Sequence, residues 1–114
     1  GITIEQSLVP RFPEVNISDL QDAWRDILKR AKLVQHHKIT REELSVREHM
    51  GMVLRRLQGR RFVPFEELFD PASGSAVLVV TFIALLELGK ETLIDITQAE
   101  AFAPIYVRLA YSPS

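Results

Sequence analysis

Few residues in this chain have the type and spacing that acid–base or metal chemistry requires. The three histidines are His36, His37 and His49. Adjacent histidines project in different directions, and no third ligand follows them at a spacing typical of zinc. The chain has no cysteine, so thiolate metal sites and disulfides are excluded. The sequence therefore predicts no metal site, and we interpret the histidines as polar surface residues.

Catalytic motifs are also missing from the sequence. The serines do not occur in a Gly-x-Ser-x-Gly motif, and no glycine-rich loop of the phosphate-binding kind is present. Glu66 and Glu67 are adjacent, but they are expected on the exposed side of a short helix rather than as an acid–base pair. The sequence predicts a protein that is not an enzyme, with no catalytic residue, no cofactor and no small-molecule substrate.

The charged residues are divided unevenly between the two halves of the chain. Residues 1–61 hold 12 Lys or Arg against 8 Asp or Glu, whereas residues 62–114 hold 2 against 7. The overall net charge of −1 gives no reason to expect a general polyanion-binding protein. One basic cluster stands out, formed by Arg55, Arg56, Arg60 and Arg61. We interpret it as a solvated face, with a nucleic-acid patch or a contact with an acidic protein as the alternatives.

The apolar segment Val77–Leu88 is the element around which these residues must be arranged. It is shorter than the roughly 20 apolar residues that cross a bilayer. Its length and Leu-rich end, with Ser75 as a candidate N-cap, favour a helix. At about 100° per residue, Val80, Ile83 and Ala84 share a side with Glu87. The remaining apolar arc holds Val77, Leu78, Thr81, Phe82, Leu85, Leu86 and Leu88.

A helix that is apolar nearly all round is covered on more than one side. The arc of Val80, Ile83 and Ala84 is covered either by this chain or by another protein, and the sequence leaves both alternatives open.

Two segments precede the centre of the chain. Residues 1–17 contain Pro10 and Pro13 and predict an extended linker. Residues 18–44 predict an amphipathic helix followed by a connector, with Ser18 and Gln21 as a capping box. The apolar stripe of that helix includes Leu20, Trp24, Ile27 and Leu28. It packs either on the rest of the chain or on a partner.

From residue 45 onward the predicted elements follow the order of a winged helix-turn-helix domain. They are a helix capped by Ser45 and ended by Gly59, an edge strand at 61–64, a short helix at 65–69, a turn at 70–74, the long helix, a strand at 92–97, a tip at 98–103 and a strand at 104–109. The predicted fold class is α+β, mostly helical, with a winged helix at 45–114 preceded by an extra amphipathic helix that lies outside it. No signal peptide or membrane span is predicted.

A winged helix often reads DNA, so a DNA-binding transcriptional regulator is the alternative function. A DNA reader presents basic or amide side chains from its recognition helix and basic ones from its wing. Here the long helix has no basic residue before Lys90, and the tip Gln98–Ala103 is acidic and apolar. Phosphates would be repelled by this face. The pattern favours a protein-interaction module, and a wing strand would add edge hydrogen bonds to a partner.

Several segments resemble the bacterial segregation and condensation protein A family, the kleisin subunits of SMC condensin complexes. The similar segments are Phe65–Phe69, Val79–Leu88, Gln98 with Phe102–Tyr106, and upstream Pro10–Val15 and Ile39–Glu48. The resemblance implies that the winged helix docks on the ATPase head of an SMC protein and that the central segment binds ScpB. It also implies a cytoplasmic, nucleoid-associated protein that meets DNA only indirectly, through the complex, and no membrane.

Under this resemblance, each partner takes a set of mainly apolar side chains. For the SMC head the predicted residues lie on the charged side of the long helix and on the wing: Val80, Ile83, Ala84, Glu87, Phe102, Ile105 and Tyr106. For ScpB they lie on the linker and the first helix: Phe12, Val15, Leu20, Trp24, Ile27 and Leu28.

Overall fold

Helices and a small antiparallel sheet make up the fold. A computed structural model of the chain describes residues 13–34 and 44–111. The elements are α1 (Ile17–Val34), α2 (Val46–Leu57), β1 (Val63–Pro64), 3-10 turns at Phe65–Leu68 and Pro71–Ser73, α3 (Ser75–Lys90), β2 (Ile94–Gln98) and β3 (Ile105–Leu109). The α+β class and the order of elements after residue 45 are as predicted. The predictions for Phe12, the linker before residue 13 and most of the connector lie outside the described residues.

The sheet has the strand order β1-β3-β2, with both pairs antiparallel. Val107 of β3 lies opposite Val63 on one side and Ile96 on the other, and Val107 and Val63 are fully buried. Pro64 is in the edge strand β1, where a residue without an N–H does not interrupt the ladder. This confirms the predicted edge strand.

A short extended segment before α1 runs along the outer edge of β2. The Val15 amide donates to the Ile96 carbonyl at 3.3 Å, and the Gln98 amide donates to the Pro13 carbonyl at 3.4 Å. The Thr97 hydroxyl donates to the same Pro13 carbonyl at 2.7 Å. The backbone of these residues is extended, and it pairs with the edge of β2 through a bridge between Glu14 and Thr97. A strand of a partner was expected to pair with an edge of the wing. At this end of β2 the edge is already occupied by residues 13–15 of this chain.

Helix α1 packs into the same core as the elements that follow residue 45. Its apolar stripe is buried at Leu20, Ile27 and Ala31. The Trp24 ring stacks on Phe82 of α3, with 4.3 Å between ring centroids, and lies 5.4 Å from the Phe69 ring. An aromatic cluster built from three parts of the chain therefore covers the α1 stripe, because these rings have large apolar areas that gain from leaving water.

Helix caps set where α1, α2 and α3 begin. Ser45 Oγ accepts from the Glu48 amide at 3.1 Å, so the predicted cap of α2 is confirmed. In α1 the prediction of Ser18 is wrong, because Asn16 Oδ1 accepts from the amides of Ser18 and Asp19 and starts the helix earlier. In α3 the N-cap is Gly74 rather than Ser75, which is already the first helical residue.

The prediction that His49 lies on the surface is wrong. His49 is in the first turn of α2 and is 8% exposed. Its Nδ1 donates to the Ser45 carbonyl at 2.9 Å. A buried imidazole is tolerated there because the backbone of the cap satisfies its N–H.

Candidate protein-docking surface

An apolar stripe on α3 is the most exposed apolar face of a helix in the described structure. Val79 is 43% exposed, Ile83 45% and Leu86 47%. Their spacing of four and three residues places them on one side of the helix. We call these three residues the α3 stripe. Three large aliphatic side chains in a row, each half in water, are typical of a surface that another molecule covers.

The buried and exposed sides of α3 differ from the predicted ones. Val80 is 6% exposed and Ala84 is fully buried, so the chain itself covers them and their assignment to an open docking face is wrong. The physical reason is that α3 packs against both α1 and α2, which covers two of its sides. Ile83 remains exposed as predicted, and Glu87 is half-buried beside it.

Val79 and Leu86 are the residues of this surface that sequence reasoning missed. A signal for them was present in the spacing, since Val79 lies four residues before Ile83 and Leu86 three after it, but the predicted arcs placed Leu86 opposite Ile83. A helix that is apolar all round does not show which of its faces points outward, and that is decided by the packing of α1 and α2.

An open groove continues the α3 stripe toward the start of α2. It has a volume of about 520 Å³, and its lining includes Val79 and Ile83 of the stripe together with Leu44 and Val46. The groove is lined mainly by apolar side chains. The stripe and the groove thus form one continuous apolar surface from the start of α2 to Leu86 of α3.

The tip between β2 and β3 carries a second exposed apolar side chain. Phe102 is 89% exposed, and its backbone has φ 65°, a left-handed conformation that a bulky residue rarely adopts. Asp19 of α1 holds this conformation, because its Oδ2 accepts from the Phe102 amide at 2.6 Å. An aromatic side chain fixed in water by a strained backbone is typical of a functional position.

Gln98 was predicted to lie in the exposed tip, but it is 3% exposed. Its Nε2 donates to Asp19 Oδ2 at 2.8 Å and to the Ala103 carbonyl at 2.9 Å. Its Oε1 accepts from the Asn16 amide at 3.0 Å. One side chain therefore connects the extended segment, the start of α1 and the tip, which explains why an amide is buried there.

The other predicted wing residues are divided between core and surface. Ile105 is 7% exposed and belongs to the core, so its assignment to an open face is wrong; its side chain points to the sheet face that the helices cover. Tyr106 is on the opposite face, 37% exposed, with its ring edge-to-face against Phe62 at 6.1 Å.

The residues predicted for ScpB do not form an open face within the described part of the chain. Leu20 and Ile27 are buried, Val15 and Trp24 are partly buried against the core, and Leu28 is partly buried. Phe12 lies outside the described residues. The amphipathic pattern of α1 is explained by packing within this chain.

The family assignment rests on a match along almost the whole sequence. A family model described as "Segregation and condensation protein ScpA" matches residues 3–110. The chain belongs to the ScpA family.

Curated relatives of this ScpA-family chain have the name "Segregation and condensation protein A". The protein from Xylella fastidiosa (strain Temecula1) is 46% identical over 104 residues, which are 91% of this chain and 34% of the relative. The protein from Coxiella burnetii is 41% identical over 84% of this chain and 36% of its own length. The protein from Listeria monocytogenes serotype 4a is 41% identical over 83% of this chain and 39% of its own. The chain spans little more than a third of the length of these ScpA relatives.

Metal ligands, buried polar groups and apolar helices in the described residues bear on the chemistry of this ScpA-family chain. Residues 13–34 and 44–111 contain no group of three His, Asp or Glu side chains arranged to hold a metal ion. In the same residues every buried side-chain nitrogen or oxygen has a hydrogen-bond partner. None of the helices described is long and apolar enough to cross a membrane. The described surface of this chain presents apolar area on α3 and an exposed aromatic ring at the tip.

Proposed function

We propose that this chain is an architectural, non-enzymatic part of a kleisin that serves chromosome segregation and condensation. In this proposal the α3 stripe docks on the ATPase head of an SMC protein. The single observation that carries it is the row of three half-exposed aliphatic side chains on α3. The name shared by the relatives supports the cellular role, and the resemblance to kleisins supports the partner.

We further propose that residues 45–111 form a winged helix with α3 in the recognition-helix position. A helix, a short strand, the long helix and two antiparallel strands follow one another in the order that this fold requires. The exposed face of α3 presents Val79, Ile83 and Leu86 where a DNA reader would present basic side chains. This apolar face disfavours the alternative of a sequence-specific transcriptional regulator.

The stripe is large enough to anchor an interface. Full burial of an exposed Val, Leu or Ile contributes about 1.5–3 kcal/mol. Since the three side chains are already half buried, docking would gain about 1 kcal/mol from each, or roughly 3 kcal/mol in all. A standard interface covers about 800 Å² per partner, so the SMC head would also cover the adjoining groove. A few central apolar side chains typically dominate such interfaces.

ScpB is proposed as the second partner, bound by the part of the chain that precedes α2. The buried residues Leu20 and Ile27 and the partly buried Trp24 would position α1 rather than contact ScpB, because they pack in the core. The two partners would then use different surfaces. A complex of this kind is expected in the cytoplasm at the nucleoid, with ATP hydrolysis confined to the SMC heads.

The experiment compares Ile83→Arg with Ile17→Arg, since Ile17 is an equally apolar side chain that is 66% exposed at the start of α1. Ile83→Arg is expected to weaken binding to a purified SMC head by at least about tenfold, because the lost burial and a desolvated charge each oppose docking. Ile17→Arg is expected to change it by less than about twofold.

Binding is measured by isothermal titration calorimetry, with circular dichroism as the folding control and ScpB binding as a second control. Equal affinities of Ile83→Arg and the unmodified chain for the SMC head, with both proteins folded, would contradict the proposal.

A further inference from the structure

Four arginines follow one another closely in the chain around the end of α2. Arg55 and Arg56 are in its last turn, and Arg60 and Arg61 follow the turn at Gly59, where φ is 77°. The Arg60 amide donates to the Leu57 carbonyl at 3.2 Å, which folds the chain back at this point. All four side chains are exposed. We call them the arginine patch; the proposed docking on the SMC head does not use it.

One acidic residue, Glu67, contacts two of these four arginines. Arg60 Nη1 lies 2.6 Å from Glu67 Oε2, and Arg56 Nη2 donates to the Glu67 carbonyl at 3.0 Å. These contacts fix two of the four guanidinium groups in place. Within residues 13–34 and 44–111, Arg55 and Arg61 form no ion pair. The patch therefore keeps a local charge of about +3 by direct count of these side chains.

Four acidic side chains line a cleft whose lining includes none of these arginines. Glu66, the neighbour of Glu67 in sequence, lines this separate cleft together with Asp19, Asp22 and Asp26. Charges of opposite sign are thus segregated on the surface. The helix dipole explains why Arg55 and Arg56 lie in the last turn of α2. It does not explain Arg60 and Arg61, which follow the helix.

The chemistry of the patch suits phosphate groups. Guanidinium groups bind phosphate oxygens through two parallel N–H donors, which a lysine does not do. Phe62 follows Arg61 in sequence, and Tyr106 lies across the sheet, opposite Pro64. Their exposed rings contact each other and add a flat apolar border.

The patch is also placed so that docking of the α3 stripe leaves it open. The groove that continues the stripe reaches Val46 at the first residue of α2, whereas Arg55 and Arg56 are in the last turn. Eleven residues of helix separate Val46 from Leu57, a distance of about 16 Å along the axis. A protein on the stripe and a second ligand on the arginine patch would therefore bind at opposite ends of α2.

We propose that the arginine patch binds the phosphate backbone of duplex DNA directly and without sequence preference. The contact is independent of the proposed SMC docking, since it uses other residues and is testable with the 114-residue chain alone. This contact would bring DNA directly onto the chain, in addition to any indirect association with DNA through a complex.

The test is fluorescence anisotropy of a short labelled duplex titrated with the full chain at several salt concentrations. Three neutralised phosphates predict a slope of about −2.7 for the logarithm of the binding constant against the logarithm of salt, or roughly a 40-fold loss between about 50 and 200 mM. Arg55→Gln and Arg61→Gln are each expected to weaken binding and to reduce the slope by about 0.9.

Charge-matched variants separate the patch from net charge. Arg25→Gln removes the same charge from an exposed site on α1 and is expected to leave the affinity unchanged. Glu67→Gln releases Arg60 and is expected to strengthen binding several-fold, whereas Glu66→Gln, in the separate cleft, is not.

Three results would overturn the proposal. They are no binding at the lowest salt, equal effects of Arg25→Gln and Arg61→Gln, and competition by poly-glutamate as effective as by unlabelled duplex. The last result would assign the patch to an acidic protein surface.

Discussion

Replacing Asp19 by alanine is expected to destabilise the fold by about 3 kcal/mol. Its Oδ2 accepts from the Phe102 amide at 2.6 Å and from Gln98 Nε2 at 2.8 Å. Hydrogen bonds to charged groups contribute about 1.5–3 kcal/mol each, and the lower figure applies to both because the carboxylate is half-exposed. An acidic group in the first turn of a helix adds a few tenths of a kcal/mol. The loss would be a large part of the 5–15 kcal/mol typical of a small domain.

Urea denaturation followed by far-ultraviolet circular dichroism measures this change. The matched control is Asp22→Ala, three residues further along α1. Its carboxylate is exposed and lies 3.5 Å from Arg25, so its removal is expected to cost less than about 0.5 kcal/mol. Combining Asp19→Ala with Gln98→Ala should destabilise less than the sum of the two, because both remove one shared hydrogen bond. If Asp19→Ala costs no more than Asp22→Ala, the reasoning is refuted.

Two further predictions concern backbone conformation, with stability measured in the same way. Phe102→Gly should stabilise the fold by about 0.5–1 kcal/mol, because glycine relieves the left-handed φ of 65° and the lost side chain is 89% exposed; a lower stability would show that the ring contacts the chain. Gly51→Ala should stabilise α2 by about 0.5–1 kcal/mol, since the new Cβ would be at an ordinary 3.5 Å from Arg55 Nη1. Gly59→Ala, at φ 77°, should instead destabilise by about 1 kcal/mol, and a gain in both would contradict the argument.

Local signals in the sequence were sufficient for most element boundaries after residue 45. Ser45 caps α2, Gly59 has the positive φ of a helix stop, and Pro64 lies in an edge strand. Each of these depends on neighbours within a few residues. The start of α1 was misplaced because Asn16 and Ser18 are both good caps, and the local pattern does not choose between them.

Long-range packing determined the features that the sequence did not show. The hydrogen bonds of Gln98 join it to Asn16 and Asp19, which are 82 and 79 residues away in the chain. No local sequence pattern identifies such distant partners, so Gln98, a polar residue near a turn, was expected to be exposed to solvent. The apolar stripe of α1 would have the same periodicity if it faced a partner or the core of this chain. Trp24 shows that it faces the core, because its ring stacks on Phe82.

The same limit applies to α3. Periodicity correctly placed Val80 and Ala84 on a common side, but only the positions of α1 and α2 determine that this side is buried and that Leu86 is exposed. The sequence therefore predicted that an apolar face of α3 would be the docking surface. Of the three residues of that surface, it identified only Ile83.

Site-specific cross-linking from α3 tests the central claim most directly. A photoreactive benzoylphenylalanine at position 83 would be irradiated in the presence of a purified SMC head, with the same group at position 17 as the control. The α3 docking account predicts a cross-link to the SMC head from position 83 and none from position 17, where the exposed side chain lies on α1. Cross-links from position 17 alone, or none from position 83 while the two proteins remain bound, would contradict the claim that α3 is the docking surface.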